Sequence, residues 1–281
     1  MQDIELEQAV EVLLAHTVPV AETERVPLLD AVGRVASEDV CAGFDNPPFD
    51  RSPLDGYTFA AASTANASAE HPVTLRVIGE ECAGDFFAGT VGAGECVRIM
   101  TGGAIPKGCD CVVRQEDVQE DGERIHVPFM SEPYENYCYA GEDIKKDTVL
   151  IRRGQRIRAA HLAVLASEGY GDVLVRRRVR VAVASTGDEL LQPGEPLRPG
   201  KIYNSNLYLL AGRLKELGAE VTVVGSVPDD VDRAAAVIAS YADKVDLFLT
   251  SGGVSVGKKD IMHGVVPALG AERLFWRVCM K

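Results

Sequence analysis

The sequence predicts a chain of the α/β plus β class: a three-layer α/β domain on a parallel sheet, preceded by an α+β segment and a mostly-β module. Three observations carry that prediction. Beyond residue 178, strand and helix signatures alternate as β-α-β-α-β, an order that requires parallel strands joined by right-handed crossovers. From Val73 to Val127, short β-type runs are separated by glycine-rich turns. From Glu142 to Arg178 the pattern changes again, to strand, helix and strand.

Taken in order, Ile4 to His16 places Ile4, Ala9, Val12 and Leu13 on one helical face, and Leu28, Leu29 and Val32 mark a short helix over Pro27–Gly33. Phe44 to Tyr57 holds three prolines and three aspartates and is read as irregular, with Asp55-Gly56-Tyr57 inside it. Ala60–Ala69 is a small-residue stretch, helix or loop. The β module follows, with runs at Val73–Ile78, Glu95–Met100, Asp110–Gln115 and Arg124–Val127. Val149–Ile151 reads as strand, Arg158–Glu168 as a helix stopped by Gly169, and Val173–Val175 as strand. Val179–Ala184 alternates as a strand and stops at Ser185-Thr-Gly-Asp-Glu189. Leu207, Leu210, Leu214 and Leu217 then recur at helical spacing from Asn204, and Gly218 closes the helix. Glu220–Val224 is a strand ending at Gly225-Ser-Val-Pro-Asp229-Asp230, Val231–Ala242 a helix, and Val245–Leu249 a strand. Leu274–Met280 reads as a fourth strand of the same sheet. With no closing helix after it, the sequence is expected to be part of a longer protein.

Bulk composition limits the function. The 281 residues suffice for about two domains, and 46% apolar residues support a core rather than disorder. A net charge of −13 argues against nucleic acid or an anionic membrane as the main partner. An anionic ligand therefore needs a local pocket of cations and backbone N–H groups. The seven cysteines show no CxxC spacing. Their odd count, an acidic N-terminus unlike an export signal and the lack of a membrane-length apolar run predict a soluble, cytoplasmic protein with reduced thiols.

The chemistry concentrates in glycine-rich strand ends. Thr250-Ser-Gly-Gly-Val-Ser-Val-Gly-Lys-Lys-Asp260 follows an apolar strand, the way α/β folds build a phosphate cradle. Gly252, Gly253 and Gly257 permit close backbone approach, Ser251 and Ser255 supply hydroxyls, Lys258 and Lys259 charge, and Asp260 a carboxylate able to hold a metal ion. No Gly-Lys-Ser/Thr follows at Walker spacing. In a parallel sheet the strands' carboxyl ends line one crevice, so Thr186, Asp188, Glu189, Asp229, Ser255 and Asp260 are expected on one rim. Asp229 and Asp230 also suit a helix N-cap. A second set of acidic and hydroxyl residues lies in Asp55-Gly-Tyr57, Thr101-Gly-Gly103 and Gly141-Glu-Asp143, although Asp-Gly and Gly-Gly also form turns. These groups suit a divalent metal or a polar heterocycle better than nucleophilic catalysis, and the five histidines are isolated.

Six segments carry a family likeness: Phe49-Asp-Arg-Ser-Pro-Leu-Asp-Gly-Tyr57, Arg98-Ile-Met-Thr-Gly102, Gly141-Glu-Asp-Ile144, Ser185-Thr-Gly-Asp-Glu-Leu190, Ile202-Tyr-Asn-Ser-Asn206 and Ser251-Gly-Gly-Val-Ser-Val-Gly257. In this order they resemble the molybdopterin molybdenumtransferases, a family that includes the E domain of gephyrin. The resemblance implies an enzyme of molybdenum cofactor biosynthesis that takes adenylylated molybdopterin and molybdate, uses Mg2+ or a similar ion, and releases AMP. It implies a homodimer with an active site shared between subunits, and a molybdopterin adenylyltransferase as pathway partner. It also implies a linker domain made of residues 1–45 and 141–178, an inserted β-rich domain over 46–140, and an α/β molybdopterin-binding domain over 179–281, incomplete at its end. A fourth, β-barrel domain would follow.

Carried over by position, Asp55, Thr101, Asp143, Glu189, Asp260 and Lys281 become the catalytic candidates, and Asp229 with Asp260 the metal ligands. Thr186, Asp188, Ser251, Gly252, Gly253, Ser255, Gly257 and Arg277 become the ligand-binding candidates. The sequence departs from the pattern at several places. Asn136-Tyr-Cys-Tyr-Ala140 stands where arginines are common, Arg51, Pro53 and Leu54 replace Asn, Ala and Met, and Arg277 stands where lysine is usual. Lys258 and Lys259 stand where an acidic residue is common, and the proline-glycine loops of the molybdate pocket do not follow Lys281. Two alternatives stay open at this point: a molybdopterin adenylyltransferase, or a non-catalytic molybdopterin-binding or scaffold protein.

Overall fold

In the computed structural model, which describes residues 4–252 and 261–279, the chain divides into two compact units. One is Glu38–Gly171, and the other joins Met1–Ser37 to Asp172–Lys281.

The unit Glu38–Gly171 is built on a six-stranded mixed sheet. Its strands are β1 (Gly56–Phe59), β2 (Val73–Glu81), β3 (Glu95–Ile99), β4 (Cys111–Arg114), β5 (Gln119–Asp121) and β6 (Arg124–Val127), in the order β4-β1-β3-β2-β6-β5. All neighbours are antiparallel except β2 and β3. Alternating residues turn one face inward: Tyr57 and Phe59 on β1, Cys111 and Val113 on β4, Ile125 and Val127 on β6, all in one core with Leu75 and Cys96. Beside the sheet, Val40–Cys41 pairs with Val149–Ile151, and helix Ala159–Ser167 follows.

The structure corrects the reading of Asp55-Gly-Tyr as irregular. Gly56 opens β1, the second strand in from the sheet's edge, and a Cβ on it would lie 1.9 Å from the Val113 carbonyl oxygen. Glycine is there because two backbones pass too close for any side chain, not because the chain turns. The stretch after Ala60 forms one 3-10 turn, Ala61–Thr64.

In the other unit, β7 (Arg180–Thr186), α1 (Ser205–Glu216), β8 (Glu220–Val227), α2 (Val231–Ala239) and β9 (Leu247–Ser251) follow the expected alternation. All three strands are parallel, in the order β8-β7-β9. β7 is central and buried from Val181 to Thr186, the continuous apolar run expected of a strand covered on both faces. Val181, Val183 and Leu207 form the core under α1, while Ala184, Val227, Ala234 and Ala235 form the core under α2. A short helix that the periodicity did not show, α3 (Met262–Ala268), completes the second core through Val265 despite Pro267.

The expected fourth strand over Leu274–Met280 is not part of this sheet. Among its described residues only Val278–Cys279 is a strand, and it pairs in parallel with Ile4–Glu5. The apolar residues before it serve other contacts: Trp276 stacks on His263, 3.7 Å between centroids, and Arg273 lies over the Trp276 ring. The N-terminal helix runs from Leu6 to His16, with Ala9 buried and Leu13 half exposed. Pro27–Gly33 contains a single 3-10 turn, Leu28–Ala31, and Thr23–Pro27 pairs antiparallel with Asp172–Arg176. Among the described residues no helix is long and apolar enough to cross a membrane.

Candidate functional site

The three parallel strands deliver their carboxyl ends to one edge. Thr186 is in register with Val227 and Ser185 with Ser251, so Asp229, two residues past β8, belongs to the same end as Thr186 and Ser251. A cavity of about 170 Å³ opens there, lined by Thr186, Glu189, Tyr203, Asn204, Ser251 and Gly252.

Asn204 organises the cavity. Its side-chain amide donates to Ser185 Oγ at 2.6 Å, and its carbonyl oxygen caps α1 by accepting from Leu207 N at 3.3 Å. One buried asparagine thus locks the end of β7 to the start of α1 and brings the helix's N-terminal amides, with their positive dipole end, to the cavity. Glu189 folds back over Gly187, whose φ is +132°; a Cβ on Gly187 would lie 2.6 Å from the carboxylate.

Thr186 supplies the sharpest feature. It is 5% exposed, and its hydroxyl has no hydrogen-bond partner among the described residues. Gly252, at φ +93°, passes so near that a Cβ there would lie 2.8 Å from the Thr186 carbonyl and 2.9 Å from its hydroxyl. A buried hydroxyl without a partner beside a glycine at close approach is the chemistry of an anion cradle.

The remaining predicted residues of this half are placed less centrally. The carbonyl of Asp188 accepts from Lys201 Nζ, and its side chain does not line the cavity. Asp229 is half buried and free of capping duty, because the α2 N-cap is Asp230, which accepts from Arg233 N at 2.9 Å. Arg277 lies on the exposed C-terminal segment beside Val278–Cys279, not on the cavity, because that segment pairs with Ile4–Glu5 and not with the parallel sheet. Gly253, Ser255, Gly257, Lys258, Lys259, Asp260 and Lys281 lie outside the described residues. Among the described residues no group of three or more His, Cys, Asp or Glu side chains could hold a metal ion.

The unit Glu38–Gly171 brings the second set together from three separate segments. Asp55 Oδ1 accepts from Thr101 N at 2.7 Å and Thr101 Oγ1 at 2.8 Å, and these two bonds hold the Asp55 carboxyl below its ordinary range. Asp143 Oδ2 lies 3.5 Å from Arg51 Nη2. The loop between them is pinned on both sides: Ser52 N donates to Gly103 O and Gly102 N to Ser52 O, while Arg51 and Cys138 exchange backbone bonds. Asp55 and Thr101 are thus bonded directly, and Asp143 reaches the same segment through Arg51. Glu81 was not anticipated. It is a buried carboxyl beneath the Thr101-Gly-Gly loop; its backbone carbonyl accepts from Met100 N, and burial pushes the group above the ordinary range. Asn204 was missed too, although an asparagine ahead of a leucine helix is a capping signal.

Comparison with known proteins shows the family. Residues 4–169 match the family described as "MoeA N-terminal region (domain I and II)", and residues 182–281 that described as "Probable molybdopterin binding domain". The chain is 39% identical over 276 residues to the molybdopterin molybdenumtransferase of Bacillus subtilis, covering 95% of this chain and 63% of that protein. With the Haemophilus influenzae molybdopterin molybdenumtransferase it shares 35% identity over 278 residues, 98% of this chain and 67% of the relative. A molybdopterin biosynthesis MoeA protein from Pyrococcus horikoshii has the same fold, with a TM-score of 0.85 at 35% identity over 95% of this chain and 67% of that one. The chain thus spans less than two thirds of the Bacillus relative's length.

Proposed function

Because the chain belongs to the molybdopterin molybdenumtransferase family, we propose that it inserts molybdenum from molybdate into adenylylated molybdopterin, with release of AMP. The observation that carries this reading is the cradle at Thr186 and Gly252: a buried hydroxyl without a partner among the described residues, beside a glycine at close approach, at the start of α1. In a chain of net charge −13 a phosphate needs such local hydroxyls and backbone N–H groups.

In this reading the hydroxyls of Thr186 and Ser251 donate to phosphate oxygens, and the first amides of α1 face the same charge. Gly252 lets the backbone approach. Glu189, with Asp188 nearby, hydrogen-bonds the ligand or holds water on the rim. Asp229 is the described half of a proposed Mg2+ site and Asp260 the other half; two carboxylates plus ligand phosphates are a donor set that suits Mg2+. The ion, when bound, would neutralise the pyrophosphate. Lys281 and Arg277 would offset the charge of molybdate. Asp55, Thr101 and Asp143 would act on the same ligand from the second subunit of a homodimer. A molybdopterin adenylyltransferase would supply the substrate, and both would work in the cytoplasm.

The test is AMP release from adenylylated molybdopterin, with and without molybdate, by this chain and by a version extended to its relatives' length. Molybdate-dependent AMP release is expected. Tight binding of the pterin by both versions with no AMP release would replace the transferase with a binding role.

A further inference from the structure

Three tyrosines cluster just ahead of Gly141-Glu-Asp143. The ring centroids of Tyr134, Tyr137 and Tyr139 lie 5.0 to 5.6 Å apart. Tyr137 is the fixed member. Its hydroxyl donates to Asp50 Oδ2 at 2.6 Å, while Ala140 N donates to the other oxygen at 2.7 Å. The outer rings, Tyr134 and Tyr139, are inclined 38° to each other and are 57% and 47% exposed.

Tyr134 is also held in the left-handed region, at φ +66°, which a residue with a bulky side chain rarely adopts. Tyr134 N donates to Asp110 O, Val112 N to Glu135 O, and Asn136 Nδ2 to Val112 O, which together maintain that backbone. The result is a ring presented to solvent, something packing alone does not require. Arg51 connects this loop to the second residue set: its backbone pairs with Cys138, and its guanidinium lies 3.5 Å from the exposed Asp143 carboxylate.

Aromatic faces on a loop whose backbone pairs with Arg51, itself an ion-pair partner of Asp143, match a flat heterocycle edged with N–H and C=O groups. Resting on the reading that the ligand joins a pterin to a nucleotide, we propose that Tyr134 and Tyr139 form a stacking platform for one of its two planar rings. Arg51 and Asp143 meet that ring's polar edge.

The experiment titrates AMP, pterin and inorganic phosphate separately into the wild-type chain and into Tyr139→Phe, Tyr139→Leu and Tyr134→Leu, with circular dichroism as the fold control. Base stacking on an aromatic side chain sets the expected size. Each leucine variant should bind one of the two ring ligands about ten-fold more weakly, Tyr139→Phe should stay near wild type, and phosphate should be unaffected. The ligand that weakens identifies which ring stacks. Should the leucine variants misfold, ring-proton resonances of the wild-type tyrosines decide: they must shift on addition of that ligand. Wild-type affinity of both leucine variants for both ligands, or unshifted ring protons at saturation, overturns the platform while leaving the proposed function standing. Leucine variants that only lose self-association would make the rings an interface between copies. A wild-type chain that binds neither AMP nor pterin would sink both readings.

Discussion

Thr186 is held by two opposing demands. Among the described residues its buried hydroxyl has no partner, which costs stability, yet it lines the cavity proposed to take an anion. Valine at this position has nearly the same shape and no hydroxyl to leave unsatisfied. Thr186→Val should therefore keep or slightly raise the thermal midpoint, by an increment on the order of 1 kcal/mol, while AMP binds roughly ten-fold more weakly in calorimetry. A structural hydroxyl would show the reverse, with lower stability and unchanged binding. The residue types of both site halves were legible in the sequence, because glycines and hydroxyls collect at strand ends where backbone must approach a ligand. Their pairings were not. That Asp55 accepts from both donors of Thr101 depends on a register between segments 46 residues apart, which no local pattern encodes.

At the scale of elements, the start of α2 separates two aspartates that look alike in sequence. Asp230 caps the helix through Arg233 N, whereas Asp229 has no capping role and remains available to a ligand. Asp230→Ala should lower stability by about 1 kcal/mol in a thermal melt. Asp229→Ala should leave the melt within a few tenths of that of wild type and weaken Mg2+-dependent nucleotide binding. Equal destabilisation by both substitutions would return Asp229 to a structural role. The β-α-β-α-β order was legible because long amphipathic and buried runs leave strong periods. The misreadings were short or glycine-led elements: β1 opens on a glycine that packing demands, α3 contains a proline, and the C-terminal pair is two residues long. In each, tertiary contact outweighed local preference.

For the whole molecule, acid has two opposite effects. Lowering pH relieves the self-repulsion of a chain at −13, but it also removes carboxylates that act as ion-pair partners. Asp246 is the clearest of these. Its oxygens accept from both terminal nitrogens of Arg177, at 2.8 and 3.0 Å, and from Arg180 N at 2.7 Å, while Arg177 also reaches Glu22. These bonds, led by that to Arg177, hold the Asp246 carboxyl well below the ordinary aspartate range. A carboxyl lowered in the folded state stabilises fully above its unfolded value, near pH 4, and that contribution drains away as pH falls toward the native value. Asp246→Asn should therefore melt several degrees below wild type at pH 7, and the gap should narrow steadily below about pH 4. Melting curves of both proteins from pH 7 to pH 2 separate this pair from general charge relief, since relief acts on both alike. A gap that stays constant over the whole range would mean that the aspartate is missed for its packing, and that the ionised Arg177–Asp246 bridge does not stabilise the unit that carries the proposed cradle.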